Sequence, residues 1–292
     1  KSISERNSKT NMYWERVTEE IYVFTSERYA LVNSVAFLTT EGIIAVDALP
    51  FPDEARMIAA FLAQQRDGRF HSLVLTHYHM DHAYGLFAFP EHLDIISHDL
   101  CRQKLLEVGE TSLMEARQND PAFDKVQLRL PTITFNEGEL LLRAGDKTFR
   151  LLRLPGHTAD NIGVFYEEER VLVTGDAVMA IPIIADGDWR QELQTLRAIK
   201  EMTPETLIQG HGEVILRGEV QVVLDRYINY LELVEEQARL VLAEDKPRTT
   251  IRDIPLETCG LERVPLGIAS HRLHVANILT VYDRLKAERD AT

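Results

Sequence analysis

The stretch Leu73-Val74-Leu75-Thr76-His77-Tyr78-His79-Met80-Asp81-His82 decides how this sequence is read. A short apolar run stops at three imidazoles and a carboxylate packed between residues 77 and 82. Histidine is the commonest metal ligand near neutral pH, and Zn²⁺ accepts both His nitrogen and Asp oxygen. In an extended segment His77 and His79 point the same way, whereas Asp81 and His82 lie past the turn. One ion cannot readily take all four groups from so short a segment. Two neighbouring metals are the natural solution, and each then needs ligands from elsewhere in the chain.

Three other apolar runs end in the same manner. Leu151-Leu152-Arg153-Leu154 leads into Pro155-Gly156-His157, Val171-Leu172-Val173-Thr174 into Gly175-Asp176, and Thr206-Leu207-Ile208 into Gln209-Gly210-His211. Each run reads as a buried strand. Open sheets place ligands beyond the carboxyl ends of their strands, so the four ends can converge on one site.

Around this frame, Ile21–Phe24 is a short β-rich run. Leu31–Leu38 and Ile43–Val46 flank Thr40-Glu41-Gly42 as a hairpin. Pro52-Asp53-Glu54 opens a helix whose apolar positions Ala55, Ile58, Ala59 and Leu62 keep helical spacing. Asp188–Met202, Val220–Ala243 and His271–Leu285 read as further helices. Strands in both halves with helices between and outside them predict a layered α/β domain. No Gly-, Pro- or Ser-rich linker divides the chain. The expectation is one domain over 1–292, with a helical excursion near 98–130 and a C-terminal helix.

The 292 residues carry a net charge of −14, with 45% hydrophobic and 27% charged residues. That field disfavours nucleic acid and anionic membrane as partners. No apolar run reaches the roughly 18 residues of a membrane span. A small-molecule substrate is the expected partner, with a homodimer as an open alternative. Cys101 and Cys259 are too far apart for a CxxC motif and read as two buried thiols, with one disulfide as the alternative. The sequence opens on Lys1 rather than Met, so the lack of a signal peptide does not fix a compartment. A cytoplasmic location is the default expectation, with a processed or exported form as the alternative.

The motifs Thr76-His77-Tyr78-His79-Met80-Asp81-His82, Pro155-Gly156-His157-Thr158, Thr174-Gly175-Asp176 and Gly210-His211-Gly212, in this order, resemble those of the metallo-β-lactamase-fold hydrolase superfamily. The resemblance implies a four-layer αββα sandwich with a binuclear site at one edge. It assigns His77, His79 and His157 to one zinc, Asp81, His82 and His211 to a second, and Asp176 as the bridge between them. It also implies two Zn²⁺ per chain and a zinc-bound hydroxide that attacks the substrate. With two zincs, two aspartates and a bridging hydroxide the site carries about +1, and bound cations lower the pKa of water to about 7. Asp81 is then the candidate catalytic residue that holds the nucleophile and shuttles its proton.

Within the superfamily the substrate is less sharply indicated. His79 stands where diiron relatives carry an acid, which favours zinc hydrolysis. Asp176 occupies a position where many β-lactamases of this fold lack an aspartate and where esterase-, lactonase-, thioesterase- and nuclease-like members carry one, which demotes β-lactam hydrolysis. The glutathione-binding pattern of glyoxalase II is not recognised near the C-terminus. Ala177-Val178-Met179-Ala180 lacks the tyrosine that lactonases of the quorum-quenching type carry after the bridging aspartate. The leading expectation is hydrolysis of a small carboxylic ester, lactone or thioester. The alternatives are β-lactam hydrolysis, phosphodiester cleavage, a mononuclear-iron oxidoreductase of the persulfide-dioxygenase kind, and a non-enzymatic binding protein.

Smaller expectations attach to single residues. Asp160 is either an acceptor for a metal-bound imidazole or a loop cap. His271 and His274 share a helix face and either line the substrate pocket or take a surface or core-packing role. Tyr78, Tyr84, Phe87, Phe89 and Trp189 serve either as an apolar substrate wall or as packing. His71, His92 and His98 read as ordinary polar histidines.

Overall fold

The computed structural model describes residues 3–7, 12–65, 67–262 and 268–291. The first sheet has eight strands in sequence order: β1 Ile3–Asn7, β2 Met12–Arg16, β3 Ile21–Ser26, β4 Asn33–Thr39, β5 Gly42–Val46, β6 Phe70–Val74, β7 Ile95–His98 and β8 Ile133–Phe135. Its pairs are antiparallel through β5 and parallel from β5 to β8. The second sheet comprises β9 Glu139–Ala144, β10 Lys147–Arg153, β11 Ile162–Tyr166, β12 Val171–Val173 and β13 Thr206–Ile208, in the spatial order 13-12-11-10-9. Because β11 is antiparallel to both β10 and β12, and β13 is parallel to β12, the strands β10, β12 and β13 end at the same edge.

Strand periodicity explains why the central runs look uniformly apolar. Ile21, Val23, Val35, Phe37, Ile44 and Val46 pack against Phe149, Leu151, Val164 and Val173 of the second sheet. Their neighbours Tyr22, Phe24, Ala36, Leu38, Ile43 and Ala45 face the opposite side, where Ile58 and Leu62 of helix α1 (Pro52–Leu62) cover them. A strand buried on both faces loses the polar half of the usual alternation. The outer face of the second sheet carries the longer helices. The helices in chain order after α1 are α2 Met80–Ala83, α3 Asp99–Lys104, α4 Glu110–Asn119, α5 Trp189–Met202, α6 Val220–Ala243 and α7 Ile268–Asp290. Leu193, Leu196 and Ile199 of α5 meet Leu224, Tyr227 and Leu231 of α6 and Ile278 and Val281 of α7 in one cluster. The layers therefore run helix, sheet, sheet, helix, as the αββα expectation requires.

The segment between β7 and β8 holds α3, a single π-helical turn at Leu105–Gly109, α4 and a 3₁₀ turn at Pro121–Lys125. Helix α5 starts where Asp188 accepts hydrogen bonds from the Arg190 and Gln191 amides at 2.9 and 3.0 Å, a side-chain N-cap. Cys101 and Cys259 are both buried free thiols, in separate clusters on opposite faces of the sandwich.

Helix α1 carries a buried carboxyl in its first turn. Glu54 is fully buried, and burial pushes its pKa up to about 7 despite the hydrogen bond from Ser26 Oγ at 3.0 Å and the nearby Arg28 guanidinium. Between the ordinary carboxyl value of 4.5 and about 7 the folded chain holds a proton that the unfolded chain has released. Stability therefore falls as pH rises through that window and is flat above it. Glu54→Gln should remove this slope and gain on the order of 1–2 kcal/mol at pH 8 after solvent screening. Thermal unfolding at pH 5 and pH 8 checks it; parallel pH profiles for the variant and the parent would refute it.

Candidate metal centre

The four strand ends meet where the two sheets abut. The join is hydrogen-bonded directly: the Ile162 amide donates to the Thr76 carbonyl at 2.9 Å and the Asn33 amide to the Gly210 carbonyl at 2.8 Å. The Asn33 side-chain amide adds bonds to the carbonyls of Gln209 and Gly212 at 2.9 and 2.8 Å. After β6 the chain passes Thr76 and His77, then turns into α2, with His79 at its N-cap and Asp81 and His82 in its single turn.

All seven side chains expected from the sequence come together there. His77, His79, His157 and Asp176 form one group whose ligand atoms lie within 4.8 Å of one another, and Asp81, His82 and His211 form a second. Within the first, His79 Nδ1 is 3.0 Å from His157 Nε2, and Asp176 Oδ2 is 3.5 Å from His157 Nε2 and 3.7 Å from His77 Nε2. Within the second, Asp81 Oδ2 is 3.2 Å from His211 Nε2 and 3.6 Å from His82 Nε2. Asp176 also faces the second group, with Oδ1 3.3 Å from His82 Nε2 and Oδ2 3.4 Å from His211 Nε2. One carboxylate thus stands between both groups.

Outer hydrogen bonds fix which nitrogen of each ring points inward. A carbonyl accepts only, so His157 Nδ1 donates to Ile183 O at 2.7 Å and His211 Nδ1 to Ala30 O at 3.0 Å. Asp47 accepts from His82 Nδ1 at 2.8 Å and from the Thr76 hydroxyl at 2.8 Å. That leaves Thr76 Oγ1 to accept from His77 Nδ1 at 3.0 Å. In all four rings Nδ1 is the outward donor and Nε2 faces the site, the orientation that carboxylate or carbonyl partners impose on metal-binding histidine. The Ile183 carbonyl is itself held in place from α7. Asn277 accepts from the Ile184 amide at 3.2 Å and donates to Pro182 O at 2.5 Å and Tyr230 Oη at 3.0 Å.

The chemistry of this donor set fits a divalent cation. His77 Nε2, His82 Nε2 and Asp176 Oδ1 are buried and have no hydrogen-bond partner. Orphaned polar atoms at this density are costly unless an ion satisfies them. Burial opposes charge on His82 and His211, yet neighbouring carboxylates outweigh it. Asp176, Asp81 and Asp47 hold the His82 pKa well above its ordinary value, and Asp176 and Asp81 bring His211 to about 10. Burial alone would raise Asp81, but His82 and His211 bring it down to about 2. The carboxylates thus favour positive charge at His82 and His211, the charge a bound cation would supply in place of protons. His77, where burial dominates, is pushed well below the usual imidazole value.

Glycines let the ligand loops approach closely. A Cβ on Gly210 would overlap Asp176 Oδ1 and the Gly175 backbone, and one on Gly156 (φ 149°) would overlap Glu192. Gly210→Ala should push Asp176 out of position and weaken metal retention by at least about tenfold, by analogy with lost outer-sphere support. Chelator competition followed by metal analysis tests this, and unchanged retention would refute it.

Some smaller expectations resolve differently. Asp160 does not reach an imidazole; its Oδ2 accepts from the Tyr78 amide at 2.8 Å, anchoring the ligand loop through the backbone. His274 is buried against Tyr230 Oη at 3.2 Å and exposed His271 bonds Arg252 O at 3.1 Å, so Leu273 between them, not either imidazole, lines the cavity. Trp189 is core, donating to Glu235 at 2.9 Å. Of the aromatic residues near the motif, Tyr84 lines the cavity and Phe89 packs in the core. Asp47 is a contributor that motif reading missed. The signal was its place directly after β5, a strand-end acid like Asp176.

Comparison with known proteins agrees with this arrangement. The family model described as Metallo-beta-lactamase superfamily matches residues 30–211. Among curated relatives, a Beta-lactamase-like protein 2 homolog of Caenorhabditis elegans is 25% identical over 179 residues, 61% of this chain and 54% of that protein. A hydroxyacylglutathione hydrolase of Cereibacter sphaeroides is 28% identical over 184 residues, 62% of this chain and 63% of that protein. The matched stretch thus spans less than two thirds of either relative. Among solved structures, a metallo-beta-lactamase from Pontibacter korlensis superposes with a TM-score of 0.63 at 16% identity, covering 76% of this chain and 99% of that one. With its motifs, layers and histidine cluster in this register, the chain belongs to the metallo-beta-lactamase superfamily.

Proposed function

We propose that this chain is a dinuclear zinc hydrolase that cleaves a small ester-type bond, in a carboxylic ester, lactone or thioester. The observation that carries the reading is the pair of side-chain groups sharing Asp176, with buried orphaned atoms among them, beside a cavity of about 880 Å³ that His79, Asp81, His157, Asp176 and His211 line. His77, His79 and His157 would hold one ion, Asp81, His82 and His211 the other, and Asp176 both. When bound, such ions lower the pKa of a water to about 7 and polarise the substrate oxygen. The chain's own part is orientation and proton handling. Asp47, Thr76, Ile183 O and Ala30 O lock four imidazoles in the tautomer that presents Nε2. Asp81 lines the cavity and is more exposed than Asp176. It is therefore the carboxylate placed to accept the proton of the attacking water and to return it to the leaving group. A relative named as a hydroxyacylglutathione hydrolase supports hydrolysis over an iron oxidoreductase.

The test is a matched panel of aryl ester, lactone, thioester, phosphodiester and β-lactam with zinc-loaded protein, with and without chelator. Chelator-sensitive turnover concentrated on the carbonyl esters supports the proposal. Dominant phosphodiester or β-lactam turnover, or one iron per chain on metal analysis, overturns it. Asp81→Asn, assayed at zinc concentrations high enough to fill the site, should lose roughly 10²–10⁴-fold in kcat, the usual span for a positioned acid–base group. Full activity at full zinc occupancy would remove Asp81 from the mechanism.

A further inference from the structure

The cavity above the metal centre has a lining that says more about its substrate than the centre itself does. Tyr29, Tyr84 and Phe123 form one part of the wall, and Ile181, Ile183 and Leu273 another. Beyond the metal-centre side chains at its floor, Glu213 is the charged residue among the described lining residues, and none of them is Lys or Arg. An anionic group on the substrate, away from the metals, would lose its hydration there and find no cation among the described lining residues in exchange, which is costly. The net charge of −14 also opposes its approach. An alkyl chain suffers neither penalty and removes apolar wall from water. A volume of about 880 Å³ lies within the range of pockets that enclose a whole small ligand.

We propose that the site takes an uncharged ester or thioester with a medium-length apolar acyl chain, and that it discriminates against anionic thioesters of the glutathione type. This inference rests on the ester-type reading of the centre. It sets the chain apart from the hydroxyacylglutathione hydrolase it resembles, whose named substrate is a glutathione conjugate.

The experiment has two arms on the full-length protein. In the first, zinc-loaded protein is assayed on p-nitrophenyl esters from acetyl to dodecanoyl, on the matching thioesters of an uncharged thiol, and on a glutathione thioester. In the second, binding of n-alkyl methyl ketones of rising length is measured by calorimetry, with and without zinc. The proposal expects affinity to rise roughly fourfold per methylene until the cavity is filled. It expects kcat/KM to rise along the ester series, with the glutathione thioester at least about tenfold below an uncharged thioester of equal acyl length. Ala116→Trp, in the cavity lining, should lower the decanoyl-to-acetyl ratio. Leu273→Arg should raise the rate on a carboxylate-terminated acyl ester relative to its uncharged homologue.

Hydrolysis with no chain-length dependence, or with the glutathione thioester preferred, overturns this inference and leaves the ester-hydrolase reading standing. Length-dependent ketone binding without turnover on any ester or thioester does the reverse. Flat ketone affinities overturn the inference whatever the turnover.

Discussion

Replacing Asp176 with alanine is expected, on the dinuclear reading proposed above, to lower the bound metal from two ions per chain to one or none and to reduce kcat/KM by roughly 10³-fold or more. Asp176 is the one side chain within 3.7 Å of a ligand nitrogen in both groups, facing His77 and His157 on one side and His82 and His211 on the other. Four imidazoles lose a shared anionic partner in a single substitution. Asp176→Asn keeps the shape and removes the charge, so it separates electrostatics from packing. If charge is what matters, both variants lose metal and activity together. Metal content measured after dialysis, alongside turnover, is the check. Retention of two ions by the alanine variant would show that Asp176 does not bridge.

The second large effect is expected at Asp47, which no motif announces. Its buried carboxylate accepts three hydrogen bonds of 2.8 Å, from the Thr76 amide, the Thr76 hydroxyl and His82 Nδ1. Asp47→Ala leaves a buried amide and an imidazole without acceptors, each costing about 1–3 kcal/mol. We expect a loss of about 3 kcal/mol in metal-free protein, a fall in Tm of roughly 6–10 °C for a chain of this size. His82 would also lose the partner that fixes its tautomer, and metal affinity should drop by about 10–100-fold. Thermal unfolding without metal and chelator competition with it read the two effects separately. A variant that melts with the parent and holds zinc equally well would contradict both.

The sequence made the ligand set legible because its members lie directly after strands, where chain direction alone brings them to one edge. His157, Asp176 and His211 follow β10, β12 and β13, which run the same way. The same rule covers Asp47 after β5, but that residue closes a hairpin and reads as a turn acid when no motif accompanies it. The cavity wall was much less legible. Tyr29 lines it from a turn in which Ala30 and Leu31 both adopt positive φ, 46° and 56°, a conformation no propensity suggests for these residues. Leu273 lines it because Asn277 and Tyr230 fix α7 against the 182–184 loop, a contact across about ninety positions of sequence. Edge strands such as β9, with its alternating exposed and half-buried residues, carry too weak an apolar pattern to announce themselves.

The hydrogen bonds that stitch the two sheets at Thr76–Ile162 and Asn33–Gly210 bear on how the molecule assembles. Each ligand group draws on both sheets: His77 and His79 from one with His157 and Asp176 from the other, and Asp81 and His82 with His211. Neither half of the chain holds a complete set, and the contributions are separated by loops of many tens of residues whose closure is entropically costly. A bound ion would therefore tie the two halves together, contributing its binding free energy only once they have docked. Zinc should slow unfolding of the sandwich more than it speeds refolding, since the ion's ligands come together only after both sheets have formed.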